Sequence, residues 1–417
     1  MSDFTLVREC LCCGATPEPY LDLGKQPLAN NYHKGEGGGA RYPLEVAVCP
    51  SCWHSQLTGS VNPKAMFDHY VYVSGTSNSL RKHFIEFKDT LMNQWNSWRK
   101  NQRPRVLEIA SNDGTLLDMF QKDGCDCLGI DPAKNLLPLA HAKGVKALND
   151  YWNMRTAARL NLQFDIVLAV NVLPHVPNPL EFLTACRTVM EPNHGRVYIQ
   201  TSQCDMFTNG EFDAVYHEHM SYFTAHSFAK LATAAGLRIV GAKKAAIHSS
   251  SFVWELAHGM TSSGTYVGHT SHGLDTMLAD EKAKGLTTTK FYEGFAERAK
   301  TKAASIRSTL ANQYGRKVIG YGASAKANTL LNFINFSLSY IVDDNPMKWG
   351  TLTPGTDIPI VPPKLLTSER EPLTIMATAW NFLPEIKEKV DRMMHGARHP
   401  HKFFSYFPIN LLEGSKW

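Results

Sequence analysis

The nine residues Val106-Leu107-Glu108-Ile109-Ala110-Ser111-Asn112-Asp113-Gly114 restrict what this chain can fold into more than any other stretch. A short apolar run, a polar turn with one glycine and the start of a helical pattern predict a buried strand, a tight turn and a helix. That is the opening of a Rossmann-like unit, whose ligand sits beyond the carboxyl end of the strand. A pyrophosphate in such a turn calls for three glycines, so that bare backbone can approach it. Only Gly114 is present here. The surroundings are acidic and polar instead: Glu108, Ser111, Asn112 and Asp113, then Asp131-Pro132 at the end of the next apolar run, Cys127 to Ile130. Asp131 is placed for a pair of ribose hydroxyls, and Glu108 and Asp113 suit a cationic ligand. S-adenosylmethionine, with its sulfonium, ammonium and adenosine, meets these demands.

The 417 residues are too many for one ordinary core, so two or three domains are expected. A net charge of +5 spread over that length, with no block of Lys and Arg, argues against a nucleic-acid partner. No apolar run reaches the length of a membrane span, and Met1-Ser2-Asp3-Phe4 does not open a secretory signal. The expectation is a cytoplasmic globular protein with no membrane partner, its oligomeric state left open between a monomer and a larger assembly.

Two C-x-x-C pairs stand near the start, Cys10/Cys13 and Cys49/Cys52. Four thiolates so spaced close a tetrahedron around Zn²⁺ and leave no open position for catalysis, so the site is read as structural. Cys12 is an extra thiol outside the knuckle.

Further along, Leu80 to Arg99 has helical spacing, with Phe84, Phe87, Leu91 and Trp95 on one face. The run Asp165 to Val170 reads as a strand ending at Asn171, with His175 just beyond. Strand ends on the ligand side are where polar groups act. Tyr216-His217-Glu218-His219 is the densest chemistry in the chain. On an extended segment His217 and His219 would share one face with Glu218 opposite, and an acid/base role fits this spacing better than a helical zinc site. Past Phe252 the pattern loosens, Thr261 to His272 reads as a loop, and Phe291 to Gln313 as an amphipathic helix. Lys317 to Lys326 then fits G-x-G-x-x-A through Gly320, Gly322 and Ala325, and Asp343 ends the following strand. Taken alone, this second turn favours an NAD-dependent sugar oxidoreductase. Lys326 equally suits a substrate diphosphate.

With these motifs in hand, the chain resembles the S-adenosylmethionine-dependent C-methyltransferases of deoxysugar biosynthesis, which methylate C-3 of nucleotide-linked 4-keto sugars. The resemblance rests on the four cysteines, Leu23-Gly-Lys-Gln-Pro-Leu-Ala-Asn30, the Glu108 to Gly114 turn and Asn171 to His175. It continues through Tyr216 to Tyr222, Gly322 to Asn332, Asp343 to Pro346, Thr353 to Ile360 and Trp380-Asn381. It implies an α/β protein whose Rossmann-like donor-binding domain is flanked by an N-terminal zinc-binding module and a C-terminal Rossmann-like domain that serves the substrate. The expected boundaries are 1–65 for the zinc module, 66–103 for a helical connector, 104–250 for the methyltransferase domain, 251–314 for a linker and 315–417 for the substrate domain.

By the same resemblance, His219 removes the C-3 proton and Glu218 supports it. Tyr216, His175 and either Tyr70 or Tyr72 stabilise the enolate or position the sugar. The donor is expected at Glu108, Ser111, Asn112, Gly114, Asp131, Pro132 and Asn171, and the nucleotide-linked sugar at Lys326, Asn328, Asp343, Lys348, Trp380 and Asn381. The cofactors implied are S-adenosylmethionine and a structural Zn²⁺. An O-methyltransferase acting on a nucleotide-linked sugar is the nearest alternative. The chain departs from the resemblance at His248-Ser-Ser-Ser, where His-Gly-Gly-Ser is usual, and at Ala327, where glycine is usual.

Overall fold

The structure, a computed structural model, describes residues 3–35, 39–68, 70, 72–99, 102–247, 250–260, 263–395 and 401–413. His248 and Ser249 of the divergent motif lie outside them. The central feature is a seven-stranded sheet. Its middle strand, Arg105–Ile109, pairs in parallel with Asp126–Asp131 on one side and Ile166–Val170 on the other. Helices cover these strands, which is why they read as unbroken apolar runs rather than alternating ones. The helix Asn78–Trp98 is one of them. Ser77 caps it through the Leu80 N–H, and Phe84, Phe87, Leu91 and Trp95 are buried in a cluster with Val106 and Leu116.

One expected boundary is wrong. Ser251–His258, assigned from sequence to a linker, is an inner strand of this sheet, paired antiparallel with Arg196–Ser202 and with Leu237–Ala245. Phe252, Trp254 and Leu256 fill the core there. The Gly- and Ser-rich stretch that suggested a loosening begins only after this strand.

The N-terminal sheet runs in the order Ser221–Tyr222, Ser55–Leu57, Arg41–Val48, Glu18–Pro27. Its outer strand Ser221–Tyr222 comes from the central part of the chain and pairs antiparallel with Ser55–Leu57. The zinc module is thereby sewn to the segment that carries His219. The C-terminal sheet is parallel from Ile360–Val361 through Ile341–Val342, Lys317–Tyr321 and Leu373–Ala377 to Lys402–Tyr406, and ends in antiparallel Ile409–Glu413. The long helix Thr289–Ala311 buries Phe295, Ala299 and Ile306 in one cluster with Leu21 and Val46 of the N-terminal sheet, Met376 of the C-terminal sheet and Leu330 of the helix Ala325–Ile334. The two terminal modules thus share a core. Among the described residues, no helix is long and apolar enough to cross a membrane.

Backbone strain marks one end of the central sheet. Ala110, Asn112, Asn171 and Gln203 all have left-handed backbone (φ 59°, 53°, 55° and 72°), and all lie at or just past carboxyl ends of its strands. Such positions gather where function constrains the chain.

Candidate active site

These strand ends open on a cavity of about 1290 Å³ that also reaches the C-terminal sheet. That exceeds the usual range of roughly 300–1,000 Å³ for one small ligand, so there is room for two. On the central-sheet side it is lined by Glu108, Ser111, Asn112, Asp131, Pro132 and Asn171. Asp131 receives the Asn112 N–H on Oδ2 and the Ala133 N–H on Oδ1, both at 2.8 Å, which fixes the carboxylate at the rim. Burial pushes its pKa up, against the pull of those two bonds. Glu108 Oε2 and Ser111 Oγ are buried without a hydrogen-bond partner. Burial, with Asp113 and Asp131 nearby, holds the Glu108 carboxyl well above the usual range. Unpaired acceptors beside a rim carboxylate fit a ligand that brings a cation and hydroxyl donors, as S-adenosylmethionine does.

Two residues of the turn, Asp113 and Gly114, do not line the cavity. Asp113 is already satisfied by Lys143 Nζ and the Thr115 hydroxyl, at 2.6 and 2.8 Å. Gly114, expected at the donor, is needed for packing: it sits at φ 71°, and a Cβ would come within 3.2 Å of the Ala140 backbone.

The opposite wall carries the acid/base groups. Tyr216-His217-Glu218-His219 is a turn, closed by the His219 N–H on the Tyr216 carbonyl at 2.8 Å, and not an extended segment. The two histidines therefore part. His217 turns away, its Nε2 3.3 Å from the Pro43 carbonyl, whereas His219 lines the cavity. His219 Nδ1 lies 2.8 Å from the Ala214 carbonyl, which can only accept, so the proton sits on Nδ1. Nε2 is left as the acceptor, and the Tyr216 hydroxyl donates to it at 2.7 Å. His175 packs on the His219 ring, centroids 4.9 Å apart, and donates from Nδ1 to the Glu218 carbonyl at 2.7 Å. Burial lowers the His175 pKa to about 4. With Nδ1 engaged by the Glu218 carbonyl, His175 is held in the cavity wall as a neutral imidazole.

Glu218 was expected to support His219, yet its carboxylate faces elsewhere. Oε1 accepts from Asn30 Nδ2 at 2.7 Å and Oε2 from the Tyr70 hydroxyl at 3.4 Å. Burial raises its pKa to about 7, with those two bonds opposing. Of the two tyrosines it is Tyr70 whose hydroxyl reaches this network. Tyr72 is 41% exposed, though it lines the cavity and its carbonyl accepts from Asn112 Nδ2.

On the C-terminal side, Lys326, Asp343, Lys348 and Asn381 line the cavity. Lys326 Nζ is buried without a hydrogen-bond partner, 4.7 Å over the Trp380 ring and 3.8 Å from Glu211. Asp343 accepts the N–H groups of Ala323 and Asn345 at 2.7 and 2.8 Å. Lys348 Nζ donates to the Ala323 carbonyl at 2.7 Å. Trp380 and Asn328 lie outside the lining. Trp380 Nε1 donates to Asp213 at 2.9 Å, and Asn328 Nδ2 to the Ala29 carbonyl at 2.6 Å, so both hold the wall from behind. Ala327, at the position where glycine is usual, is wholly buried in the helix start behind Ser324.

In the N-terminal module, with Cys49 and Cys52 in the turn between Arg41–Val48 and Ser55–Leu57, the Sγ atoms of Cys10, Cys13, Cys49 and Cys52 lie within 4.8 Å of one another. The closest pairs, Cys10–Cys52 and Cys13–Cys49, are 3.5 Å apart. Thiolates about 2.3 Å from a tetrahedral Zn²⁺ stand at comparable separations, so the four fit a structural zinc. Sequence reasoning missed Gln203, which lies against His219, and gave Asn30 no task although it stands in a quoted motif.

Comparison with known proteins covers most of the chain. Residues 10–67 match a putative zinc binding domain, 81–242 a methyltransferase domain and 248–408 a C-methyltransferase C-terminal domain. C-methyltransferase NovU of Streptomyces niveus is 28% identical over 395 residues, covering 91% of each chain. A ubiquinone biosynthesis O-methyltransferase of Cereibacter sphaeroides is 36% identical over 92 residues, 21% of this chain and 37% of that one. The solved magnesium protoporphyrin IX methyltransferase of Synechocystis covers 43% of this chain and 82% of its own at 13% identity and a TM-score of 0.34, too distant to bear on the chemistry.

Proposed function

Since the chain is an S-adenosylmethionine-dependent methyltransferase built from a zinc-binding module, a methyltransferase domain and a C-methyltransferase C-terminal domain, we propose that it methylates C-3 of a nucleotide-linked 4-keto deoxysugar through an enolate. The observation that carries this reading is the state of His219. With its proton held on Nδ1 by Ala214, it presents a neutral Nε2 lone pair at the cavity wall, in reach of the Tyr216 hydroxyl. A ketone makes the adjacent C–H a weak carbon acid, and removing its proton requires a positioned base and a donor for the developing oxyanion.

The pair supplies both. When Nε2 takes the carbon-bound proton it turns from acceptor to donor. The Tyr216 hydroxyl proton is then released from Nε2 and can turn to the enolate oxygen. S-adenosylmethionine, when bound, supplies an electrophilic methyl group. Glu108, Ser111 and Asp131 hold the donor side, and neutral His175 accepts from a sugar hydroxyl. The buried Lys326 Nζ, with no hydrogen-bond partner of its own, supports a diphosphate on the far side of the cavity.

The test is hydrogen exchange without methyl transfer. With S-adenosylhomocysteine bound, the protein in deuterated water should exchange the C-3 hydrogen of a nucleotide-linked 4-keto sugar. His219→Asn should lose both exchange and methylation by a hundredfold or more, the scale of a missing general base. Methylation at near wild-type rate in that variant, with the methyl group on oxygen, would sink the enolate mechanism.

A further inference from the structure

Asn30 stands in the loop after the strand Glu18–Pro27 and lines the cavity, so the zinc-binding module itself reaches the wall that carries the acid/base groups. Its backbone is pinned on both sides by the C-terminal part of the chain. Asn328 Nδ2 donates to the Ala29 carbonyl and the Tyr32 hydroxyl to the Ala323 carbonyl, each at 2.6 Å. So held, Asn30 Nδ2 donates to Glu218 Oε1 at 2.7 Å. The amide nitrogen, and not its oxygen, faces an ionised carboxyl there, because a carboxylate only accepts. With Oε1 taken, Oε2 is the oxygen turned to the Tyr70 hydroxyl, a longer contact at 3.4 Å. Tyr70 lines the cavity, and Glu218 stands behind it. The titratable groups around this carboxyl are Tyr32, Tyr70 and Tyr216, with His175 on its backbone carbonyl. Burial works against its charge, and the bonds from Asn30 and Tyr70 work for it.

We propose that Asn30 is a positioning residue for the acceptor. Its N–H holds Glu218 Oε1, which keeps Oε2 an acceptor for the Tyr70 hydroxyl and leaves the lone pairs of the Tyr70 oxygen to receive a hydroxyl of the sugar. An amide of the zinc-binding module thus acts through a buried carboxylate on a hydroxyl that meets the substrate. This inference rests on the reading of the cavity as a sugar site.

Two readouts test it. The first is infrared titration of the protonated-carboxyl band with S-adenosylhomocysteine bound, in which the difference between wild type and Glu218→Gln follows Glu218 alone. The same difference between Asn30→Ala and Asn30→Ala/Glu218→Gln should place the midpoint about one pH unit or more above that of wild type, the scale of a lost hydrogen bond to a charged group. The second is C-3 deuterium exchange in a nucleotide-linked 4-keto sugar near neutral pH. Asn30→Ala and Tyr70→Phe should each lower it by about tenfold, and the double variant no further than Tyr70→Phe alone, because both cut one chain of contacts. An unmoved Glu218 midpoint, or losses that multiply in the double variant, would overturn the inference. If Asn30→Ala does not fold, Asn30→Leu, which keeps the branched shape and lacks the N–H, takes its place with the same expectation. If wild type does not exchange at all, the enolate reading fails, while the Glu218 midpoint still decides the role of Asn30.

Discussion

Replacing Glu218 by glutamine should make the protein more stable, and increasingly so as the pH rises. The carboxyl is fully enclosed by Asn30, Tyr70 and the turn around it, and burial raises its pKa from 4.5 to about 7. A carboxyl that is harder to ionise in the folded chain than in the unfolded one contributes its stability below the unfolded pKa and loses it as the pH climbs through the folded one. Integrating those two values from pH 5 to pH 8 gives a loss of roughly 2–3 kcal/mol, which Glu218→Gln would not suffer. His175 works in the opposite sense. Its pKa falls from 6.5 to about 4, so it contributes stability above 6.5 that is lost as the pH falls toward 4. It is present in both proteins and cancels in their difference. The assay is urea denaturation of wild type and Glu218→Gln at pH 5, 6, 7 and 8 with zinc present, followed by tryptophan fluorescence. The gap between them should widen by roughly 2–3 kcal/mol across that range. A constant gap would mean that Glu218 ionises freely in the folded state and that the enclosure described above is wrong.

Cys49→Ser should lower zinc from one per chain to none by elemental analysis and cost the folded N-terminal sheet, because a closed thiolate site contributes folding free energy. Full zinc content in the variant would refute the ligand set. Asp131→Asn should weaken S-adenosylhomocysteine binding by about tenfold or more in calorimetric titration, the scale of hydrogen bonds to a charged group, while C-3 exchange with the homocysteine at saturation is retained. Gly114→Ala should lower stability by about 1–2 kcal/mol through its left-handed backbone and the approach to Ala140. It should leave donor affinity unchanged in the folded fraction. A selective loss of donor binding would return Gly114 to the ligand site.

What could be read from the sequence was local and periodic. The strand that carries Glu108, the helix under Phe84 to Trp95 and the cysteine pairs each follow from spacing over a few residues, and each is present. What escaped depends on partners far away in the chain. Nothing near Ser251 says that its strand will enter a sheet between Arg196–Ser202 and Leu237–Ala245. The direction of the Glu218 carboxylate depends on Asn30, 188 residues earlier. Asp113 looked available for a cation because Lys143, which neutralises it, is 30 residues on. Gln203 gave no sign because glutamine is not a residue that announces a left-handed turn. Gly114 was singled out as special, and the structure gives it one reason that no local pattern shows, the close approach of a neighbouring helix.

The segment from Ala29 to Tyr32 is tied to both later parts of the chain, through Asn30 to Glu218 and through Ala29 and Tyr32 to Asn328 and Ala323. Its partners in the C-terminal part are 291 and 299 residues away. On the ribosome the zinc module emerges before the central sheet, and the cavity wall that carries Lys326 and Asp343 must wait until residues beyond 320 have left the tunnel. Contacts between such distant residues are slow to form and leave apolar surface waiting meanwhile. In a nascent chain the carboxyl ends of the central sheet can therefore form well before the C-terminal wall of the cavity does, and the joining of the first and last modules is the step at which a chaperone would matter most.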